Sequence, residues 1–255
     1  MAFDGFNGWV VFMTDRQRSV MITGGTSGIG LACATHLSAS GVGVWITGTT
    51  QRTVDAALAA GVARGGSVCD VRDHDAMLQT FDKATSIIGE FDGVFANAGI
   101  DGEGKPAEEL SATNFRHILN VNVVGVLNTA QAAYTHLRRP GQLVINASVN
   151  ALRPERNFAD YNASKAAAKS IADTLALEWA SEGISVVTIA PGYVPSRMTQ
   201  PYLDNPAARD ELLADIPIGR FGEPTEVARL VSFLLDPASA YLNGATISID
   251  GGAHL

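Results

Sequence analysis

Thr23-Gly24-Gly25-Thr26-Ser27-Gly28-Ile29-Gly30 follows the short apolar run 19–23 (SVMIT) and precedes a segment with helical spacing at Leu31, Ala34 and Leu37. Glycines between a strand and a helix let an anionic ligand approach the backbone. The helix N-terminus then offers N–H donors and the positive end of its dipole. The spacing here is GxxxGxG rather than GxGxxG. This turn predicts a helix starting near Gly28 and a dinucleotide pyrophosphate held by Gly24, Thr26, Ser27, Gly28, Ile29 and Gly30.

Working outward, the same alternation continues along the chain. Runs 42–47 (VGVWIT), 93–96 (GVFA), 143–147 (LVINA), 184–190 (ISVVTIA) and 245–249 (ATISI) are apolar and rich in β-branched residues, and 67–70 (SVCD) is a weaker one. Continuous apolar runs suit strands covered on both faces. Between them lie longer segments with helical periodicity, such as 110–137 and 161–180. Strand and helix in alternation predict an α/β fold: a doubly wound parallel sheet of the Rossmann type, with about seven strands and helices on both faces. No linker or low-complexity tract divides the chain, so residues 13–255 read as one domain. Residues 1–12 read as a leader or poorly ordered extension, with apolar Trp9 to Phe12 ahead of a polar run. Prolines 191, 195, 201 and 206 crowd the stretch after the sixth strand, beside Tyr193, Met198, Tyr202 and Leu203. Ligands bind beyond the carboxyl ends of parallel strands, so the region 193–215 is placed to act as a lid.

Composition narrows the partners. Of 255 residues, 46% are hydrophobic and 17% charged, which excludes a disordered chain. A formal net charge of -8 leaves no basic surplus for a nucleic-acid backbone. No apolar run approaches the roughly 20 residues that span a bilayer. The five histidines are scattered without an HExxH pattern, so no metal is expected. Cys33 and Cys69 form no CxxC, and they fit small buried residues in a reducing cytoplasm.

In a dinucleotide fold an acid at the end of the second strand usually holds the adenosine ribose. Here that place reads Thr47-Gly48-Thr49-Thr50-Gln51-Arg52. A carboxylate would repel a 2′-phosphate, whereas hydroxyls and an arginine accept one. NADP(H) is therefore favoured over NAD(H), with Thr49, Thr50 and Arg52 as ligands. Asp70 with Val71, after the third strand, and Asn97-Ala98-Gly99, after the fourth, lie where adenine and ribose would sit.

Ser148 ends the fifth strand, and Tyr161 and Lys165 follow in Tyr161-Asn162-Ala163-Ser164-Lys165. Tyrosine and lysine at i and i+4 share one helix face. A phenol with its pKa near 10 is a poor acid or base at neutral pH unless a nearby cation favours the phenolate. Tyr161 can then exchange a proton with a substrate oxygen while hydride moves at the carbon, and Ser148 can position that oxygen.

With these motifs together, the region 19–252 resembles the short-chain dehydrogenases/reductases of the compact type. Thr23–Gly30 matches TGxxxGxG, Asn97-Ala98-Gly99 the NAG turn and Tyr161–Lys165 the YxxxK motif. Asn122 matches the asparagine that kinks the fourth helix and anchors a proton relay, completing a catalytic set of Asn122, Ser148, Tyr161 and Lys165. Pro191-Gly192 matches the turn facing the nicotinamide. The resemblance further implies that Lys165 holds the nicotinamide ribose and that the Val194 backbone meets the carboxamide. The segments 217–224 and 243–252 look like those of 3-oxoacyl carrier-protein reductases and ketoreductases of secondary metabolism.

Three departures stand out. Ser27 replaces the basic residue of many NADP(H) members, and Thr49 replaces the arginine of another NADP(H) subgroup, which keeps NAD(H) open. The stretch 150–160 carries Arg153, Glu155 and Arg156. The two arginines read either as surface charge or as contacts to an anionic part of the substrate. The pocket set is Asn150, Phe158, Tyr193, Met198 and Tyr202. The function expected is hydride transfer between NADPH and a small ketone. The alternatives are NAD-dependent oxidation of a polyol, sugar or cyclic alcohol, and a non-catalytic dinucleotide sensor. Helices apolar on more than one face, together with the resemblance, imply a homotetramer.

Overall fold

The structure is a computed structural model that describes residues 16–196 and 199–255. The expected leader 1–12 lies outside these residues, as does Met198. Seven parallel strands form one sheet in the order β3-β2-β1-β4-β5-β6-β7. The strands are β1 (Ser19–Ile22), β2 (Gly43–Gly48), β3 (Gly65–Val68), β4 (Phe91–Ala96), β5 (Leu137–Asn146), β6 (Ile184–Pro191) and β7 (Thr246–Ile249). The chain runs outward from β1 to β3, then returns to lay β4 against β1's other edge. That reversal opens a crevice at the carboxyl ends of β1 and β4.

Alternating side chains put each strand into two cores. On one face, α1 (Gly28–Ala39) and α9 (Pro224–Leu234) cover Val20, Ile22, Ile46, Val144 and Val187. On the other, α3 (His74–Ile88), α5 (Gly125–His136) and α6 (Ala159–Trp179) cover Met21, Val94, Leu143, Ile145 and Val186. Phe81 and Phe91 meet edge-on there, with ring centroids 5.5 Å apart. Helix starts are set locally. Thr50 caps α2 (Gln51–Ala59) and Asp73 caps α3, accepting from Ala76 N–H at 2.9 Å. Glu223 and Glu226 form a capping box on α9.

Two elements differ from the expected ones. The helical stretch 110–137 is broken into α4 (Ala112–Leu119), a π turn (Asn120–Val124) and α5. Strand β5 starts six residues before 143, and its pairing with β4 jumps from Phe91↔Leu137 to Gly93↔Gln142. The polar Arg138-Arg139-Pro140 run sits in that irregularity, so apolar patterning does not mark it. The region 193–215 carries two helices, α7 (Gln200–Leu203) and α8 (Pro206–Ala214). Among the described residues no helix is long and apolar enough to cross a membrane.

Candidate active site

The carboxyl ends of the strands frame a cleft of about 700 Å³. Its walls include Gly24, Thr26, Ser27, Gly28 and Ile29 from the glycine turn, Thr49 after β2, and Asp70 and Val71 after β3. Asn97, Ala98 and Gly99 after β4, Ser148, Tyr161, Lys165, and Pro191, Gly192 and Val194 after β6 also line it. A smaller pocket of about 90 Å³ adjoins it, lined by Asn150, Glu155, Phe158, Tyr193 and Tyr202 among others. Asp101, Ser148 and Tyr161 line both.

The glycine turn fits a dinucleotide's phosphates. Gly24 and Gly28 have φ of 66° and 52°, the left-handed region where a side chain is strained. Ser27 precedes α1 without capping it, so the first-turn N–H groups stay open to an anion at the cleft wall. Gly30 is buried behind the turn, where a Cβ would lie 2.4 Å from the Gly24 carbonyl oxygen. It packs the helix on the loop rather than lining the cleft. Asn97 clamps the turn, donating through Nδ2 to the carbonyls of Thr23 at 3.0 Å and Gly24 at 3.2 Å.

Around the second strand the expected phosphate ligands separate. Thr49 lines the cleft. Thr50 and Arg52 do not: the Thr50 hydroxyl accepts from Thr53 N–H as a helix cap, and Arg52 is exposed in the first turn of α2. Arg72 reaches the cleft instead, paired with Asp70 at 2.5 Å. That arginine was missed because it follows a strand end by several residues, outside the usual ribose position.

Lys165 is 5% exposed, and its ammonium donates to the Asn146 carbonyl at 2.9 Å. Burial pulls its pKa down to about 8, against a smaller upward pull from Asp101. Nζ lies 5.6 Å from the centroid of the Tyr161 ring. The phenol is pushed above its ordinary range by burial, and further by the charges of Asp101 and Glu155, while a hydrogen bond with Ser148 pulls the other way. The i, i+4 spacing predicts the opposite, a phenol shifted down by the lysine. Burial of the phenol outweighs that, and two carboxylates from separate loops add to the upward shift. Ser148 Oγ is fixed by accepting from Asn150 N–H at 3.2 Å.

Asn122 is fully buried in the π turn. Its amide accepts from Ile100 N–H at 2.8 Å and donates to the Ile100 carbonyl at 2.9 Å and to Ser164 Oγ at 3.0 Å. Ser164 in turn donates to the Tyr161 carbonyl at 2.8 Å. The loop after β4 is thereby tied to the helix that carries Tyr161 and Lys165.

Of the expected pocket residues, Asn150, Phe158, Tyr193 and Tyr202 line the small pocket. Tyr202, on α7, donates to Asp101 at 3.3 Å and meets Phe158 with centroids 6.2 Å apart. Arg153 and Arg156 are exposed and line neither cavity. Arg153 donates to the Ala253 carbonyl at 2.7 Å and lies 3.7 Å from Asp215. Asp101 was not singled out from the sequence, and Glu155 was noted there only as a departure in 150–160, yet both line the small pocket. Asp101 directly follows the NAG turn and Ile100, and position beside a strand end was the available signal.

A family model described as Enoyl-(Acyl carrier protein) reductase matches residues 24–254. A levodione reductase of Leifsonia aquatica is 33% identical over 250 residues, covering 92% of this chain and 94% of its own length. A solved gluconate 5-dehydrogenase from Burkholderia cenocepacia, in complex with NADP and tartrate, superposes with a TM-score of 0.87 at 29% identity, covering 93% of this chain and 95% of that one. A single-substitution variant of an actinorhodin polyketide ketoreductase, solved with NADPH, gives the same TM-score of 0.87 and 29% identity over 93% of this chain and 97% of its own. A glycine turn, a cleft of about 700 Å³ and a Ser–Tyr–Lys wall accompany these likenesses, and the chain belongs to the short-chain dehydrogenase/reductase family of oxidoreductase enzymes.

Proposed function

We propose that this chain is an NADPH-dependent ketoreductase that moves hydride between nicotinamide and the carbon of a small ketone or secondary alcohol. One observation carries the reading: Ser148 and Tyr161 stand on the wall common to the large cleft and the small pocket. A substrate oxygen there reaches both hydroxyls while its carbon faces the cleft.

The nicotinamide cofactor, when bound, supplies or accepts the hydride. Tyr161 gives its phenolic proton to the substrate oxygen during reduction, and its raised pKa keeps that proton in place until then. Ser148 donates a hydrogen bond to the same oxygen as negative charge develops on it. The Lys165 ammonium supplies positive charge near the phenolate left behind. Asn122 anchors the relay by fixing the loop at Ile100 against α6. Gly24, Thr26, Ser27, Gly28 and Ile29 hold the pyrophosphate, with Gly30 behind them. Asp70, Val71, Asn97, Ala98 and Gly99 take the adenosine side, and Pro191, Gly192, Val194 and Lys165 the nicotinamide side. NADP(H) is favoured because Thr49, not a carboxylate, stands at the cleft wall after β2, and because two of the similar structures hold NADP or NADPH.

The region 193–215 serves as the lid over Asn150, Phe158, Tyr193 and Tyr202. A cytoplasmic homotetramer is the assembly we favour. Val124 and Leu127 at the α5 side and Leu177 on α6 are exposed apolar residues suited to a subunit interface, and light scattering reads the oligomer directly.

The test is turnover of a ketone panel with NADPH and NADH by wild type and Tyr161→Phe. Wild type is expected to consume NADPH faster than NADH. The variant should lose at least ~100-fold in turnover, the low end for a positioned acid, while still binding cofactor. Near-normal turnover by the variant would remove Tyr161 from the mechanism.

A further inference from the structure

The small pocket beside the reacting hydroxyls has a marked electrostatic sign. Asp101 and Glu155 both line it, and each lies partly buried. Asp101 accepts from Gly102 N–H at 2.9 Å and from the Tyr202 hydroxyl at 3.3 Å. Glu155 accepts from Asn150 Nδ2 at 3.3 Å. A carboxylate has about four lone-pair sites, so both keep acceptor capacity for a ligand. Among the described residues no lysine, arginine or histidine forms an ion pair with either.

Among the described residues the nearby cations do not cancel this, and Lys165 offsets only part of the Asp101 charge. Lys165 is turned to the Asn146 carbonyl, and Arg153 to Ala253 and Asp215. Asp160, fully buried behind the pocket, adds another carboxylate and is held by the N–H groups of Tyr161 and Glu103. The rest of the wall is largely apolar and aromatic, with Phe158, Tyr161, Tyr193, Tyr202 and Leu212.

We propose that the substrate is a cation: a ketone or amino alcohol bearing an ammonium group, held in the small pocket by Asp101 and Glu155 against the aromatic rings. This deepens the ketoreductase reading and rests on it. Aromatic faces and carboxylates together suit an alkylated ammonium, which is weakly hydrated and attracted by both. A polyol also uses carboxylate acceptors, but it carries no positive charge for the ring faces to attract. An anionic substrate meets two like charges in the small pocket, and Arg153 and Arg156 line neither cavity. Burial raises the pKa of both carboxyls, and both in turn raise that of Tyr161. A bound cation offsets that field. Occupancy by the right substrate then eases proton release from Tyr161, which makes Asp101 and Glu155 specificity-determining residues.

The experiment compares ring ketones of one shape. Dimethyl-oxopiperidinium carries a permanent ammonium; dimethylcyclohexanone replaces its nitrogen with carbon; oxocyclohexanecarboxylate carries a negative charge; a polyhydroxylated ketone completes the panel. Wild type should favour the ammonium ketone over its carbon isostere in kcat/KM by about tenfold or more, the scale of one cation–aromatic contact, and disfavour the carboxylate. In Asp101→Asn and Glu155→Gln the ratio of cation to isostere, read within each variant, should fall towards one. Equal or better turnover of the neutral isostere or the polyhydroxylated ketone by wild type would overturn the proposal, as would variants that keep the ratio. A second arm separates this proposal from the reading beneath it. Calorimetry follows binding of dimethylpiperidinium, which has no carbonyl, to the protein with oxidised cofactor. Binding lost in Glu155→Gln, with no ketone turned over, would uphold the cation site and overturn the ketoreductase reading. No binding to wild type would overturn the cation site whatever the turnover.

Discussion

Lys165 holds an ammonium in a buried position, with its hydrogen bond on the Asn146 carbonyl. Its pKa is about 8 in the folded chain against an ordinary 10.5, and desolvation is the leading cause. Between those two values the unfolded chain binds more protons than the folded one, so stability rises with pH across that window. Below it the full penalty is present. Lys165→Met should therefore stabilise the fold near neutral pH by about 1–3 kcal/mol, and the gap should close as pH climbs from about 8 towards 10.5. Denaturant unfolding of both proteins at neutral and alkaline pH checks this. A variant less stable at neutral pH would mean that the ammonium makes net favourable contacts. At this scale the sequence was partly legible. Tyr161 and Lys165 announce themselves by spacing, whereas the burial that raises Tyr161's pKa, and the carboxylates at positions 101 and 155 that add to it, are joined to it only by the fold.

The element that departs most from its sequence pattern is the helix over 110–137. Its apolar periodicity reads through, yet Asn120–Val124 forms a π turn. The extra residue in that turn lets the Asn122 amide leave the helix face and satisfy both backbone groups of Ile100. Asn122→Leu should leave that N–H and carbonyl without their protein partners at a half-buried place, at roughly 1–3 kcal/mol for each group. Equilibrium unfolding should show a loss of about 2–5 kcal/mol, with Ser164 also losing its donor. A loss under about 0.5 kcal/mol, the range of a neutral surface change, would show that water or the backbone replaces the amide. Helical periodicity cannot report a single-turn widening, because the apolar positions on either side keep the same face. Strand β5 hid for a related reason: its first half is polar and irregularly paired, so only 143–147 looked like a strand.

At the scale of the molecule, the alternation of runs was enough to read a doubly wound parallel sheet, and β3-β2-β1-β4-β5-β6-β7 follows from where the chain reverses. That reversal brings the glycine turn after β1 and the NAG turn after β4 together, while β5 and α6 deliver Ser148, Tyr161 and Lys165 to the same cleft. The charge of the small pocket was not legible, since its two carboxylates lie over fifty positions apart in the chain and meet only across the cleft mouth. At this junction, in the proposed reaction, hydride passes to a carbonyl carbon under protonation by Tyr161. The most direct measurement places deuterium at the hydride-donating carbon of NADPH and follows it by mass spectrometry and NMR. Deuterium is expected on the carbinol carbon of the product alcohol with wild type, on one face only, and should nearly disappear with Tyr161→Phe. Tight binding of the labelled cofactor without transfer to any carbonyl, or transfer undiminished in the variant, would contradict it.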